Sequence, residues 1–122
     1  MKKRAIILGA IIIIVLIILL IYSPFKSKNS EPGKYDVFAQ CLTGAGLKMY
    51  GTEWCPHCQN QKKLFDSSFQ YIDYIDCDKN RETCLIEGIQ GYPTWKINGE
   101  SYQGEQSFEN FAQITGCELE KI

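Results

Sequence analysis

In the stretch EWCPHCQNQKK, residues 53–63, two cysteines are separated only by Pro56 and His57. Thiol-disulfide exchange needs a thiolate that attacks and a second sulfur close enough to resolve the mixed disulfide that results. Cys55 and Cys58 meet both needs if a helix starts at the first of them. Pro56 suits that start, because its fixed φ is already helical and it has no N–H to leave unpaired. The free N–H groups and the dipole of a helix N-terminus favour negative charge at Cys55, which makes it the expected nucleophile. Cys58, one turn in, is expected to be more buried and to act second. A protonated His57 stabilises the thiolate, and hence the reduced pair, so the disulfide becomes a stronger oxidant. The plain alternative for His57 is a solvent-facing helix residue. Trp54 either contacts substrate or packs on its own loop.

A structural zinc site is the rival reading, since Cys-x-x-Cys is half of many such sites. Its second half would be Cys77 with Cys84, whose spacing is wider than the usual knuckle, and a proline within the first pair suits a helix start better. No metal is expected. No cofactor is expected either, because the two sulfurs carry the electrons themselves.

The surrounding sequence predicts the elements that hold this pair. Val37, Phe38, Cys41 and Leu42 predict a short amphipathic helix stopped by Gly44 and Gly46. LKMY, residues 47–50, alternates as a strand does, which sets Cys55 at a strand-to-helix junction. In the helix that follows, Cys58, Phe65 and Phe69 share a face. YIDYID, residues 71–76, reads as a buried strand, and residues 80–87 as a short helix. TWKIN and ESYQG flank Asn98-Gly99, the dipeptide suited to a two-residue type I′ turn, so residues 94–103 form a hairpin. Ser107 caps a last helix with Phe108, Phe111, Ala112 and Thr115 on one side and Gly116 at its end. A helix crossing between two strands makes them parallel neighbours, whereas the hairpin adds an antiparallel pair. The sheet is therefore mixed.

The chain of 122 residues opens with Lys2, Lys3 and Arg4, and residues 5–22 are uncharged and almost wholly apolar. At about 1.5 Å per residue that run covers roughly 27 Å, close to the thickness of a bilayer core. A cleaved signal peptide has a shorter apolar run and a small-x-small site, which Ile21, Tyr22 and Ser23 fit poorly. Residues 1–22 are thus expected to be a basic start and a single transmembrane anchor. Basic residues stay on the cytoplasmic side, so the N-terminus is cytoplasmic and the remainder lies outside. Residues 23–33, polar and with two prolines, read as a linker, and residues 34–122 as one small domain. Three of the 13 basic residues precede the apolar run while all 14 acidic ones follow it, so the domain is acidic and no nucleic acid is expected to bind.

All six cysteines follow the anchor. An even count outside the cytoplasm points to disulfides. Cys41, Cys77, Cys84 and Cys117 allow three pairings, and sequence alone does not choose. The expectation taken forward is Cys77 with Cys84, closing a short loop, and Cys41 with Cys117, tying first helix to last. The alternative is that some are free buried thiols.

WCPHC after a strand, with GYPTW some thirty-five residues on, resembles the thioredoxin fold family over residues 35–117. That resemblance implies an α/β domain with a mixed central sheet flanked by helices, here preceded by a single N-terminal transmembrane helix. FAQCLTGAGLKMYGTEWCPHCQNQKKLF, DC, GYPTWKINGE and the closing TGC look more narrowly like the thioredoxin-like domain attached to bacterial vitamin K epoxide reductase homologues. The resemblance implies that Cys55 attacks, that Cys58 resolves, and that Tyr92-Pro93 is a cis peptide lying against Cys55 and pairing with substrate. Without it, Pro93 reads as a trans proline opening an edge strand. Its implied partners are cysteine-containing proteins and a membrane quinone reductase. One departure stands out: many thioredoxins carry a buried carboxylate six residues before the first cysteine, where this chain has Met49. Glu53, on a loop, is expected to be solvated, leaving water or His57 to manage the proton of Cys58. The same fold can also run as a membrane-anchored thiol reductase, or serve as a non-catalytic metal- or partner-binding module.

Overall fold

The computed structural model describes residues 1–22 and 31–119. The chain divides into two compact units, Met1–Ser30 and Glu31–Ile122. In the first, helix α1 spans Lys2–Ile21 and buries none of its residues. It is long and apolar enough to cross a membrane, with a mean hydropathy of 3.3, a test that a signal sequence also passes. Of the expected linker, residues 23–30 lie outside the described residues.

The second unit is the folded domain. Its elements run α2 (Asp36–Gly44), β1 (Lys48–Gly51), α3 (Pro56–Phe65), a 3-10 turn (Asp66–Tyr71), β2 (Asp73–Asp76), α4 (Arg81–Ile86), β3 (Thr94–Ile97), β4 (Glu100–Gln103) and α5 (Phe108–Thr115). The sheet order is β2-β1-β3-β4. β1 and β2 are parallel, with Met49 opposite Tyr74, because α3 carries the chain back across the sheet between them. β1 and β3 are antiparallel, with Met49 opposite Trp95, and β3 and β4 form the hairpin. Asn98 and Gly99 both take positive φ, 51° and 81°, as a type I′ turn requires.

Helices α2, α3 and α5 close the core. Phe65, Phe108, Phe111 and Trp95 meet ring to ring, with centroids 4.5 Å apart for Trp95–Phe111 and 4.8 Å for Phe65–Phe108. Such pairs add about 0.5–1.5 kcal/mol each beyond the area they bury. The Ser107 hydroxyl accepts from Asn110 N–H and caps α5, which ends in a left-handed Gly116. Gln61 of α3 is buried, and it both donates to Gln106 O and accepts from Gln106 N–H, so α3 is pinned to the segment leading into α5.

Two expectations are corrected. Val37 does not join the apolar face of α2: it is exposed, while Phe38, Ala39 and Leu42 turn inward. The apolar spacing fits two neighbouring faces of so short a helix, and the sheet accepts only one. Nor is the strand at 71–76 buried. Tyr71 belongs to the 3-10 turn, and β2 is an edge strand with Asp73, Tyr74 and Ile75 only half-buried.

Cys41 is bonded to Cys117, and Cys77 to Cys84. The first bridge closes a loop with a sequence separation of 76, the second one of 7. In the chain-entropy model these restrict the unfolded chain by about 4 and about 2 kcal/mol. Replacing Cys41 and Cys117 together by alanine is therefore expected to lower the unfolding free energy about twice as much as replacing Cys77 and Cys84. Denaturant titration of the two double variants beside the parent checks this, and equal losses would show that loop length does not govern the effect.

Candidate functional site

Strand β1 delivers the chain to the head of α3, and Cys55 is the residue at the junction. It is the N-cap of α3, in extended conformation, with Pro56 in the first turn. Its Sγ accepts the Cys58 N–H at 3.3 Å, taking up one of the donors that a helix start leaves unpaired. Cys55 keeps a small opening, 5% exposed against 0% for Cys58, and both are thiols. Burial first, then the hydrogen bond with Cys55, pushes the Cys58 thiol up to about 12. Both sulfurs of the motif are buried, but Cys55 is the helix cap and keeps a sliver of exposure, whereas Cys58 is wholly enclosed and holds its proton.

Opposite them lies the turn before β3. Tyr92-Pro93 is a cis peptide, and the Tyr92 carbonyl accepts from the Cys55 thiol at 3.6 Å. Pro93 is fully buried. Trp54 is 68% exposed and stands edge-on to the Tyr92 ring at 6.1 Å. The structure therefore brings together Trp54, Cys55, Cys58, Tyr92 and Pro93. The four bonded cysteines stay apart from the pair: Cys41–Cys117 links α2 to the segment after α5, and Cys77–Cys84 packs with Tyr50, against which Tyr92 also leans. Bonded to each other, Cys77 and Cys84 do not supply the second half of a four-thiolate zinc site. Among the described residues no group of three or more histidine, cysteine or acidic side chains is placed to hold a metal.

His57 is exposed on the first turn of α3, and its Nδ1 donates to Glu105 Oε1 at 2.7 Å, where the Asn60 amide donates as well. The His57 hydrogen bond holds the Glu105 carboxyl below its usual range. Glu105 lies 48 residues away, in the segment that Gln61 fixes to α3, so no local signal in the sequence announces it. Gly51 was also missed. A Cβ there would stand 2.8 Å from Cys58 Sγ and 3.3 Å from Tyr74 Cε2, so only glycine leaves room for the second sulfur.

Glu53 is largely solvated, as expected of a loop carboxylate, and it is also paired. Its side chain is 58% exposed, yet Oε1 is 2.5 Å from Lys62 Nζ, and its backbone carbonyl accepts from Gln59. The Lys62 hydrogen bond lowers the Glu53 pKa. Lys62 is turned inward with its side chain 16% exposed, its ammonium 4.0 Å above the Tyr74 ring.

No family model matches the chain. It is 34% identical over 105 residues to "Thiol-disulfide oxidoreductase LTO1" of Arabidopsis thaliana, covering 78% of this chain and 27% of that protein. It is 30% identical over 89 residues to "Protein disulfide isomerase-like 2-2" of Oryza sativa subsp. japonica, covering 62% of this chain and 24% of the relative. The chain thus spans about a quarter of the length of these curated relatives. Against the solved thioredoxin of Fasciola hepatica the TM-score is 0.43 with 16% identity, over 59% of this chain and 79% of that one. The relatives of similar sequence carry thiol-disulfide oxidoreductase and disulfide isomerase names, and the domain's own architecture, a β2-β1-β3-β4 mixed sheet with its cysteine pair at the head of α3, is thioredoxin-like.

Proposed function

We propose that this chain is a membrane-anchored thiol-disulfide oxidoreductase that exchanges its Cys55–Cys58 disulfide with cysteine-containing proteins outside the cytoplasm. A membrane quinone reductase, of the vitamin K epoxide reductase type that the sequence resemblance implies, would reoxidise it. The observation that carries the reading is the Cys55 sulfur at the N-cap of α3, accepting the Cys58 N–H and facing the Tyr92 carbonyl. A thiolate formed there is met by the Cys58 N–H and by the positive end of the α3 dipole. Cys58, buried behind it, waits as a thiol until a mixed disulfide forms. The exposed Trp54 and the Tyr92-Pro93 backbone flank the opening where a substrate segment would lie.

Anchoring and sidedness draw support from α1 and from Lys2, Lys3 and Arg4 before it. Residues 1–22 then hold the protein in the membrane, and the domain works where structural disulfides persist. Pro56 and His57 set the poise of the pair. A positive charge on His57 would favour the thiolate, and Glu105 helps to keep the ring oriented.

Serine at 55 is expected to abolish exchange. Serine at 58 is expected to leave substrates trapped on Cys55 as mixed disulfides, visible as adducts on non-reducing gels of cells that express the variant. An absence of adducts would sink the proposed substrate class.

Graded-pH alkylation of the reduced chain, read by peptide mass, is expected to label Cys55 first. Cys58, fully buried and with its proton held to about pH 12, should stay unlabelled near pH 8. Equal labelling of the two sulfurs there would count against the assignment of roles.

Equilibration with glutathione gives the potential of the pair. A value near those of strong periplasmic oxidants, around −120 mV, supports donation of disulfides, and one near −270 mV would replace that direction with reduction. His57→Ala should move the potential towards the reducing end by roughly 10–30 mV, given that 30 mV is about 1.4 kcal/mol and that exposed charges are screened. An unchanged value would leave His57 without a tuning role.

A further inference from the structure

The exchange scheme gives no part to the charged group that lies across the Tyr74 ring from Cys58. To resolve a mixed disulfide, Cys58 must shed a proton in a fully buried place. Position 49 offers no carboxylate for this, since Met49 is completely buried in the core. What the domain does bring near is a cation. Lys62, four residues along α3 from Cys58, keeps most of its side chain out of water, paired to Glu53 and standing 4.0 Å over the Tyr74 ring and 5.5 Å from that of Phe69. The Tyr74 ring and Cys58 Sγ approach each other over the bare Cα of Gly51. The ring is thus a shelf with the ammonium above it and the buried sulfur beside it.

We propose that Lys62 is a positioning residue for the resolving step: held over Tyr74 by Glu53, its ammonium supplies the positive charge against which the Cys58 thiolate forms. The inference rests on the thiol-disulfide reading of the pair. In the step concerned, Cys55 is already bonded to a substrate sulfur. Cys58 gives its proton to water and its thiolate attacks Cys55 Sγ. The Cys55–Cys58 bond forms as the Cys55–substrate bond breaks, and the electron pair leaves on the substrate sulfur, which takes up a proton. Two electrons pass from the dithiol to the substrate. Run in reverse, the same charge receives Cys58 as the leaving thiolate.

The titratable groups around Cys58 are Cys55 at the head of α3, Lys62 further along it, Glu53 on the preceding loop, and Tyr74, with Asp76 near it, on β2. Of these Lys62 is the cation. It draws the Cys58 thiol down against the larger upward push of burial. Burial first, then the Glu53 and Asp76 carboxylates and Cys58, keeps Tyr74 a neutral phenol. Among the described residues the Tyr74 hydroxyl finds no hydrogen-bond partner. Glu53 does not cancel Lys62 at the sulfur: its carboxylate is 58% exposed and screened by water, whereas the lysine side chain is 16% exposed.

The test uses the full chain in detergent, with the Cys55–Cys58 pair reduced, reacting with dithiobis(nitrobenzoate). The first nitrothiobenzoate released reports attack by Cys55, the second reports resolution by Cys58. In Lys62→Met the second phase should slow on the order of tenfold at neutral pH, the equivalent of one pKa unit, and its pH profile should move to higher pH. The first phase should be unchanged. Lys62→Arg should restore the second phase to within about threefold. Glu53→Gln, which keeps an acceptor for the ammonium but removes the negative charge, should not slow it. A second-phase profile in Lys62→Met that matches the parent overturns the inference, as does equal slowing by Lys62→Met and Glu53→Gln, the mark of a merely structural ion pair. A parent chain that shows no first phase overturns the thiol-disulfide reading itself.

Discussion

An α-helix begins with N–H groups that have no partner within the helix, and α3 meets this need with sulfur. The Cys55 Sγ accepts the Cys58 N–H, a task usually given to the oxygen of serine, threonine or aspartate. The rest of the arrangement follows from that substitution. β1 must end where α3 begins so that the cap stands at the sheet's end. Pro56 must occupy the first turn, and Gly51 must be bare so that the next sulfur along the helix fits beneath. The loop before β3 then closes the opposite side with the Tyr92 carbonyl.

The core exists to hold that junction still. Phe65 at the far end of α3 packs on Trp95, Phe108 and Phe111, tying helix, sheet and α5 into one aromatic cluster. The Gln61–Gln106 pair pins the helix midpoint to the segment that carries Glu105. The exposed His57 ring at the helix head thereby gains a fixed partner from a remote part of the chain. Local helix chemistry sets where the sulfurs are, and contacts across the fold set what surrounds them.

What the sequence made legible divides along the same line. The Asn98-Gly99 turn, the Ser107 cap, the Gly116 stop and the placement of Cys55 before Pro56 all depend on neighbours within a few residues, and each was readable from residue type and spacing. The edge position of β2 was not, because strand order is decided by which faces and edges the helices leave open. Val37 was misread because its spacing fits either side of a short helix. The inward turn of Lys62 and the Glu105 partner of His57 depend on residues brought close only by folding. A lysine four residues after a buried cysteine does lie on the same side of a helix. That hint was present but gave no sign of the aromatic shelf that keeps the ammonium from water.

The long bridge from Cys41 to Cys117 has a consequence for biogenesis. A freshly made chain carries six thiols, and only the pairs close in sequence, Cys55 with Cys58 and Cys77 with Cys84, meet at little entropic cost. Cys41 and Cys117 meet once α2 and α5 have docked, while Cys55 and Cys58 already lie between them along the chain. Premature capture of Cys41 or Cys117 by Cys55 would give a scrambled topology. Maturation thus favours a chain that folds before it is fully oxidised, and the burial that keeps Cys58 quiet in the finished domain also helps to shield the pair from its own structural cysteines.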